Sequence, residues 1–255
     1  MKVNGVDVKE FFDVKQWNVE MAHGEVENGS SWEDGCIVPI LIPGHFKMKK
    51  IKISVMAKGD DRESIWNKTG KFIAEFRNPA VLVLDGFSHK FKVVLTNASQ
   101  VESSMRRFHK ATLELQGYEY GEAEETKILF STASDAVKLD NPGTIESPFT
   151  IKVTQERQYE SNVTVSEYFK EGETEHTVPI VVFHFTGDVE GILFNGETGE
   201  LLYKRVSDAG YNAAPLNLCE VACIPCIPPD GITLKATSSI NTSTEVTVQY
   251  TPMFL

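Results

Sequence analysis

The sequence predicts a mainly β protein built as two β-sandwich domains, the first with one packed helix and a β-hairpin. Short apolar–polar alternations recur along most of the 255 residues, and turn signals separate them. One stretch, residues 61–77, instead places its apolar residues at helical spacing.

The first 36 residues are turn-rich, as in "VNGVD" and "AHGEVENGSSWEDG". "CIVPILIPGHFKMKKIKISVM" then reads as strands. Its apolar phase slips by one residue at Lys49–Lys50, and a β-bulge there would keep one face in the core. On that reading Lys47, Lys49, Lys50 and Lys52 form a solvated face. Asp60 or Asp61 caps the helix by accepting from free backbone N–H groups. Ile65, Trp66, Thr69, Phe72, Ile73 and Phe76 form its apolar stripe, read as core, and Pro79 closes the segment. A hairpin follows over residues 80–96, with Asp85-Gly86 as a two-residue type I′ turn. "RRFHKATLELQGYEY" supplies a further strand.

"EAEETKILFSTASDAVKLDNPGTIESP" reads as the connection, which sets the domains at 1–137 and 138–255. Beyond it the pattern is all strand. "FTIKVT", "SNVTVSEYF", "TVPIVVFHFTG", "GILFNGETGELLYKR", "GITLKATSS" and "TEVTVQY" imply a sandwich of jelly-roll type.

Charge narrows the function classes. Residues 1–140 hold 19 Lys+Arg against 21 Asp+Glu, whereas residues 141–255 hold 6 against 15. The resulting acidic half repels phosphate, which argues against a tight nucleic-acid binder. No apolar run approaches the roughly 20 residues of a membrane-spanning helix, and "MKVNGVDVKE" lacks the apolar stretch of a secretory signal. Synthesis in the cytoplasm, with reduced thiols, is expected. Of the four cysteines, Cys219, Cys223 and Cys226 cluster in "CEVACIPC" and Cys36 stands apart. No second short-spaced pair completes a zinc set, so neither metal nor cofactor is expected.

No nucleotide-binding glycine loop, nucleophile elbow or metalloprotease motif is present, and a non-enzymatic role is expected. Histidines are dispersed, and His184, inside "VVFHF", reads as a hydrogen-bonded core residue. Jelly rolls often bind sugars on an aromatic ring. All three tryptophans, Trp17, Trp32 and Trp66, lie in the first half, leaving Tyr203 and Tyr211 as the candidate platforms of the second domain.

The order of parts resembles the distal tail proteins (Dit) of long-tailed, non-contractile bacteriophages. The opening "VNGVDVKEFFDV" looks like that family's start. The succession of strand, helix "DRESIWNKTGKFIAEF" and hairpin "AVLVLDGFSHKFKVVL" is similar to its ring-forming domain. The close "CIPPDGITLKATSSINTSTEVTVQYTPMFL" looks like its final strands and aromatic tail. The resemblance implies a galectin-like jelly roll for the second domain and a hexameric ring for the first, at the virion tail tip. The ring would join the tail tube protein to the hub and tail-associated lysin, and in some phages to receptor-binding proteins. DNA would pass through it without specific binding. "CEVACIPC" departs from the family pattern. The alternative is a carbohydrate-binding module that contacts host cell-wall sugars.

A permanent ring needs exposed apolar surface in the first domain. Phe11, Phe12 and Trp32, in turn-rich sequence, are the candidate interface residues. The competing reading folds them back onto their own sandwich.

Overall fold

A computed structural model describes residues 1–12, 17–23, 26–27, 45–102, 108–156 and 160–254. The chain divides into two compact units, residues 1–121 with 254–255, and residues 122–253.

The strands of the first unit are Lys2–Val3 (β1), Val6–Asp7 (β2), Trp17–Ala22 (β3), Val26–Glu27 (β4), His45–Phe46 (β5), Lys49–Lys58 (β6), Ala80–Val83 (β7), Lys90–Glu102 (β8) and Phe108–Tyr120 (β9). Seven of them form one antiparallel sheet in the order β2-β1-β7-β8-β9-β6-β3, while β4 pairs with β5. The expected small sandwich is thus one curled sheet with a helix against it, α1 (Arg62–Ala74). Alternation along β6 turns Ile51, Ile53 and Val55 inward to meet Leu113 and Leu115 of β9.

The Asp61 carboxylate accepts from the Ser64 backbone N–H at 2.7 Å, which satisfies one of the free donors of the first turn of α1. Ile65, Thr69 and Phe72, spaced by four and three, are its buried face. The Thr69 hydroxyl donates back to the Ile65 carbonyl at 2.9 Å, so its burial leaves no unpaired donor. Full burial of Phe72 contributes roughly 1.5–3 kcal/mol. The expected stripe needs one correction: Trp66 is 46% exposed. It stands one residue, about 100° of helical turn, from Ile65 and so falls off the buried face.

Three other expectations for this unit change. No bulge occurs at Lys49–Lys50. β5 ends at Phe46, β6 starts at Lys49, and the pairing of β6 with β3 and β9 is continuous. The phase slip is therefore a break between strands. Lys49 consequently lies on the inward face, only 9% exposed, while Lys47, Lys50 and Lys52 are exposed. The hairpin keeps its turn at Asp85-Gly86 but not the two-residue form, since residues 84–89 separate β7 from β8. Leu84 is buried and its carbonyl accepts from the Phe87 N–H at 3.3 Å; Gly86, at φ 85°, alone takes the left-handed conformation there. Positive φ at the third turn position only is the type II pattern.

The second unit contains Glu124–Phe130 (β10), Val137–Leu139 (β11), Ser147–Gln155 (β12), Ser161–Glu171 (β13), Thr174–Phe185 (β14), Val189–Asn195 (β15), Leu201–Arg205 (β16), Asn212–Ala213 (β17), Cys219–Val221 (β18), Cys226–Ile227 (β19), Ile232–Ser238 (β20) and Thr244–Tyr250 (β21). One sheet runs β10-β21-β12-β15-β16-β17, with β19 attached to β12; the other runs β11-β20-β13-β14-β18. Inward residues of the two sheets share one core, with Phe149, Ile151, Val246 and Val248 from the first and Val163, Val165, Phe183 and Leu234 from the second. This is the expected sandwich. Met253–Phe254 (β22) pairs with β9, and Phe254 belongs to the first unit.

The boundary lies earlier than the sequence predicts. β10 pairs with β21 from Glu124↔Tyr250 to Phe130↔Thr244 and buries Ile128. The acidic run before Ile128 is the exposed start of a strand, not a linker. His184 also differs from expectation. It sits half-exposed on the outer face of β14, with Nδ1 2.8 Å from the Asn162 side-chain oxygen and Nε2 3.2 Å from Glu220.

Candidate functional site: assembly face and cleft

The outward positions of β6, β9 and β8 form a broad, solvent-facing sheet surface in the first unit. Cross-strand register places Met56 beside Lys110 and Lys110 beside Val101. Nearer the other end, Lys50, Gln116 and Val94 make a parallel row. A register shift between Leu95 and Asn97 inserts Thr96 and keeps the outward phase beyond it. Val101 is 64% exposed, and Met56 and Val94 are also exposed. These are large apolar groups in water on the outward face; Trp66 is exposed too, but on the helix that packs against the opposite, inward face. The Trp66 ring meets His109 edge-on at 6.0 Å, and His109 is buried with Nδ1 2.7 Å from the Gln100 amide. Alternation in "KFKVVLTNASQVE" marks Val94 and Val101 as outward once the bulge is known. The sequence alone does not locate that bulge, so these residues escape a pattern reading.

Neither described member of the expected interface trio lies on this surface. Phe12 is 1% exposed and meets the Phe72 ring edge-on at 5.2 Å. Phe11 is half-buried beside it, 5.6 Å from the same ring. Both fold back onto their own unit, as the competing reading has it. Trp32 and Cys36 lie outside the described residues.

At one margin of the core, β9 carries Glu119 between Lys49 and His89. Lys49 pairs with one carboxylate oxygen, and His89 Nδ1 lies 2.8 Å from the other. The His89 ring stacks on Phe254, 4.1 Å between centroids, and the Lys49 ammonium lies 5.9 Å from the Phe91 ring centre. Burial opposes ionisation of Glu119, but Lys49 and His89 outweigh it and hold the carboxyl below its usual range. A lowered carboxyl stabilises the fold above its unfolded pKa, and that contribution is lost as pH falls through the folded value. Glu119→Gln leaves the Lys49 ammonium shielded from water without its counter-charge. A loss of about 2 kcal/mol is expected, less than for a fully buried pair because this one is partly wet. Urea unfolding followed by tryptophan fluorescence, with a shrinking wild-type advantage toward acid pH, checks this.

In the second unit a cleft of about 380 Å³ opens on the outer face of the seven-stranded sheet, lined by Thr154, Gly191, Tyr211, Lys152, Lys204 and Glu190 among others. Lys204 pairs with Glu190, and the Lys152 ammonium lies 5.8 Å from the Tyr211 ring centre. Of the two tyrosines considered from sequence, only Tyr211 lines this cleft. Tyr203 packs against the core cluster and under Arg205.

The three described cysteines are free thiols. Burial, then Glu220, pushes the Cys219 thiol up to about 11, and burial also raises Cys226. Among the described residues no group of three or more His, Cys, Asp or Glu is placed to hold a metal ion, and no described helix is long and apolar enough to cross a membrane.

No protein-family model matches the chain, and no curated protein matches its sequence. Solved structures do match its fold. The SPP1 Dit (gp 19.1) protein, described as a paradigm of the hub adsorption apparatus in phages infecting Gram-positive bacteria, aligns with a TM-score of 0.64 at 15% identity, covering 99% of this chain and 98% of that one. A chain of the phage p2 baseplate in its activated conformation with Sr aligns with a TM-score of 0.51 at 10% identity, covering 91% and 90%. Over nearly its whole length, then, this chain has the fold of the SPP1 Dit protein.

Proposed function

We propose that the protein is a structural, non-enzymatic component of a bacteriophage tail tip. It forms a hexameric ring that joins the tail tube to the hub and the host-adsorption apparatus. The observation that carries this reading is the match to the SPP1 Dit fold across both units. The exposed sheet face bearing Met56, Val94 and Val101 supports it, because such groups gain by burial against a second copy. Its partners are further copies of itself, the tail tube protein, and the hub or tail-associated lysin. DNA traverses the ring without specific contacts, and the virion tail is its location.

Light scattering with negative-stain microscopy tests the ring. Six-membered rings are expected, alone or with tail partners, each interface burying on the order of 2,000 Å² or more. Val101→Asp should dissociate them while the melting temperature of the protomer stays unchanged. A protein that remains monomeric with its tail partners present defeats the proposal.

A further inference from the structure

We infer that the cleft on the seven-stranded sheet of the second unit binds a neutral saccharide of one or two rings. Its floor is built for an aromatic ring. One row of outward positions crosses four adjacent strands: Glu245 on β21, Thr154 on β12, Gly191 on β15 and Lys204 on β16. Gly191 leaves that row open, and Tyr211 fills the opening from the loop after β16. A Cβ on Gly191 would stand 2.7 Å from the Tyr211 hydroxyl oxygen and 3.4 Å from the ring carbon that carries it. The strand thus forgoes a side chain where the tyrosine crosses it. Burial, then the nearby Glu190 carboxylate, raises the phenol pKa, so the hydroxyl keeps its proton and can donate.

The walls select the ligand class. Lys152 and Lys204 supply donors; Glu156, Glu190 and Glu245 supply acceptors; Thr154 supplies both. Two positive against three negative side chains leave little net field to concentrate a small ion. Leu129, at the rim, is the one large aliphatic residue of the lining, which disfavours a greasy ligand. A ring of hydroxyls, each both donor and acceptor, satisfies both sets of partners, and its C–H face suits the Tyr211 ring. Lys152, now above that ring, has the flexible stem to swing onto a hydroxyl. The volume of about 380 Å³ falls within the range of small-molecule sites.

This inference does not depend on ring formation. The full-length chain is titrated with glucose, galactose, N-acetylglucosamine, rhamnose, maltose and lactose by saturation-transfer NMR and calorimetry. At least one should bind with millimolar affinity. Tyr211→Ala should weaken it about tenfold or more, the scale of one lost aromatic contact with its hydrogen bond. Tyr211→Phe should weaken it less, and Gly191→Val should act like Tyr211→Ala by expelling the ring. The thermal melt of Tyr211→Ala, a partly exposed site, should stay near that of the wild type. Absence of binding by every sugar well above millimolar concentration overturns the inference. So does equal binding by the wild type and Tyr211→Ala.

Discussion

Gly117→Ala should cost the first unit more than any single methyl group normally does, at least about 3 kcal/mol. Gly117 lies in β9 between Val93 of β8 and Lys49 of β6. A Cβ there would stand 2.0 Å from the Lys92 carbonyl oxygen and 2.8 Å from the Val93 Cα. Both are backbone atoms, so no rotamer change relieves the clash. The strands must separate where the two 13-residue members of the sheet pair. All three tryptophans belong to the first unit, so fluorescence reports on that unit alone. The expected result is a fluorescence melt lowered by about 10 °C or more, given roughly 4 °C per kcal/mol for a unit of this size, between the small- and large-domain values. A melt within a degree or two of the wild type would show that β8 yields freely.

Phe12→Asp should abolish rings, but by unfolding the protomer. The wild-type ring is 1% exposed and packs edge-on against Phe72. Removal of such a ring alone costs about 3–5 kcal/mol, and a carboxylate left in its place adds a desolvation penalty. Total stability of a domain is commonly 5–15 kcal/mol, so the variant should populate the unfolded state at ambient temperature. Val101→Asp provides the contrast, because its site is 64% exposed and a charge there meets water in the protomer. Rings lost in both variants, with native fluorescence only in Val101→Asp, separate core from interface. A folded, monomeric Phe12→Asp protein would return Phe12 to the interface.

The helix was legible because two independent signals agree, the Asp61 cap and the buried spacing of Ile65, Thr69 and Phe72. The strands of the second unit were legible because period-two alternation, as in Ile232, Leu234 and Ala236, has one reading when one face is buried. Places where two patterns overlap were harder. Glu122, Glu124 and Glu125 look like a linker until Ile128 and Phe130 are seen to continue Glu124 and Glu125 as one strand. Lys49 follows two exposed residues and resembles another exposed lysine, yet the strand break turns it toward Glu119, 70 residues away. The cleft was not legible at all beyond Tyr211 as a candidate. Thr154, Gly191, Lys204, Tyr211 and Glu245 meet only through strand order, and no spacing in the chain encodes that.

Strand order also sets a timetable for biosynthesis. β21 lies between β10 and β12, and the Tyr250 hydroxyl donates to Glu124, 126 positions earlier. At the usual 5–20 residues per second of translation, β10 waits roughly ten seconds for its neighbour. During that interval two unpaired edges face the crowded interior of the cell. The second unit therefore closes only as the ribosome finishes this stretch, and nascent chains are the form most exposed to mispairing and most in need of a chaperone.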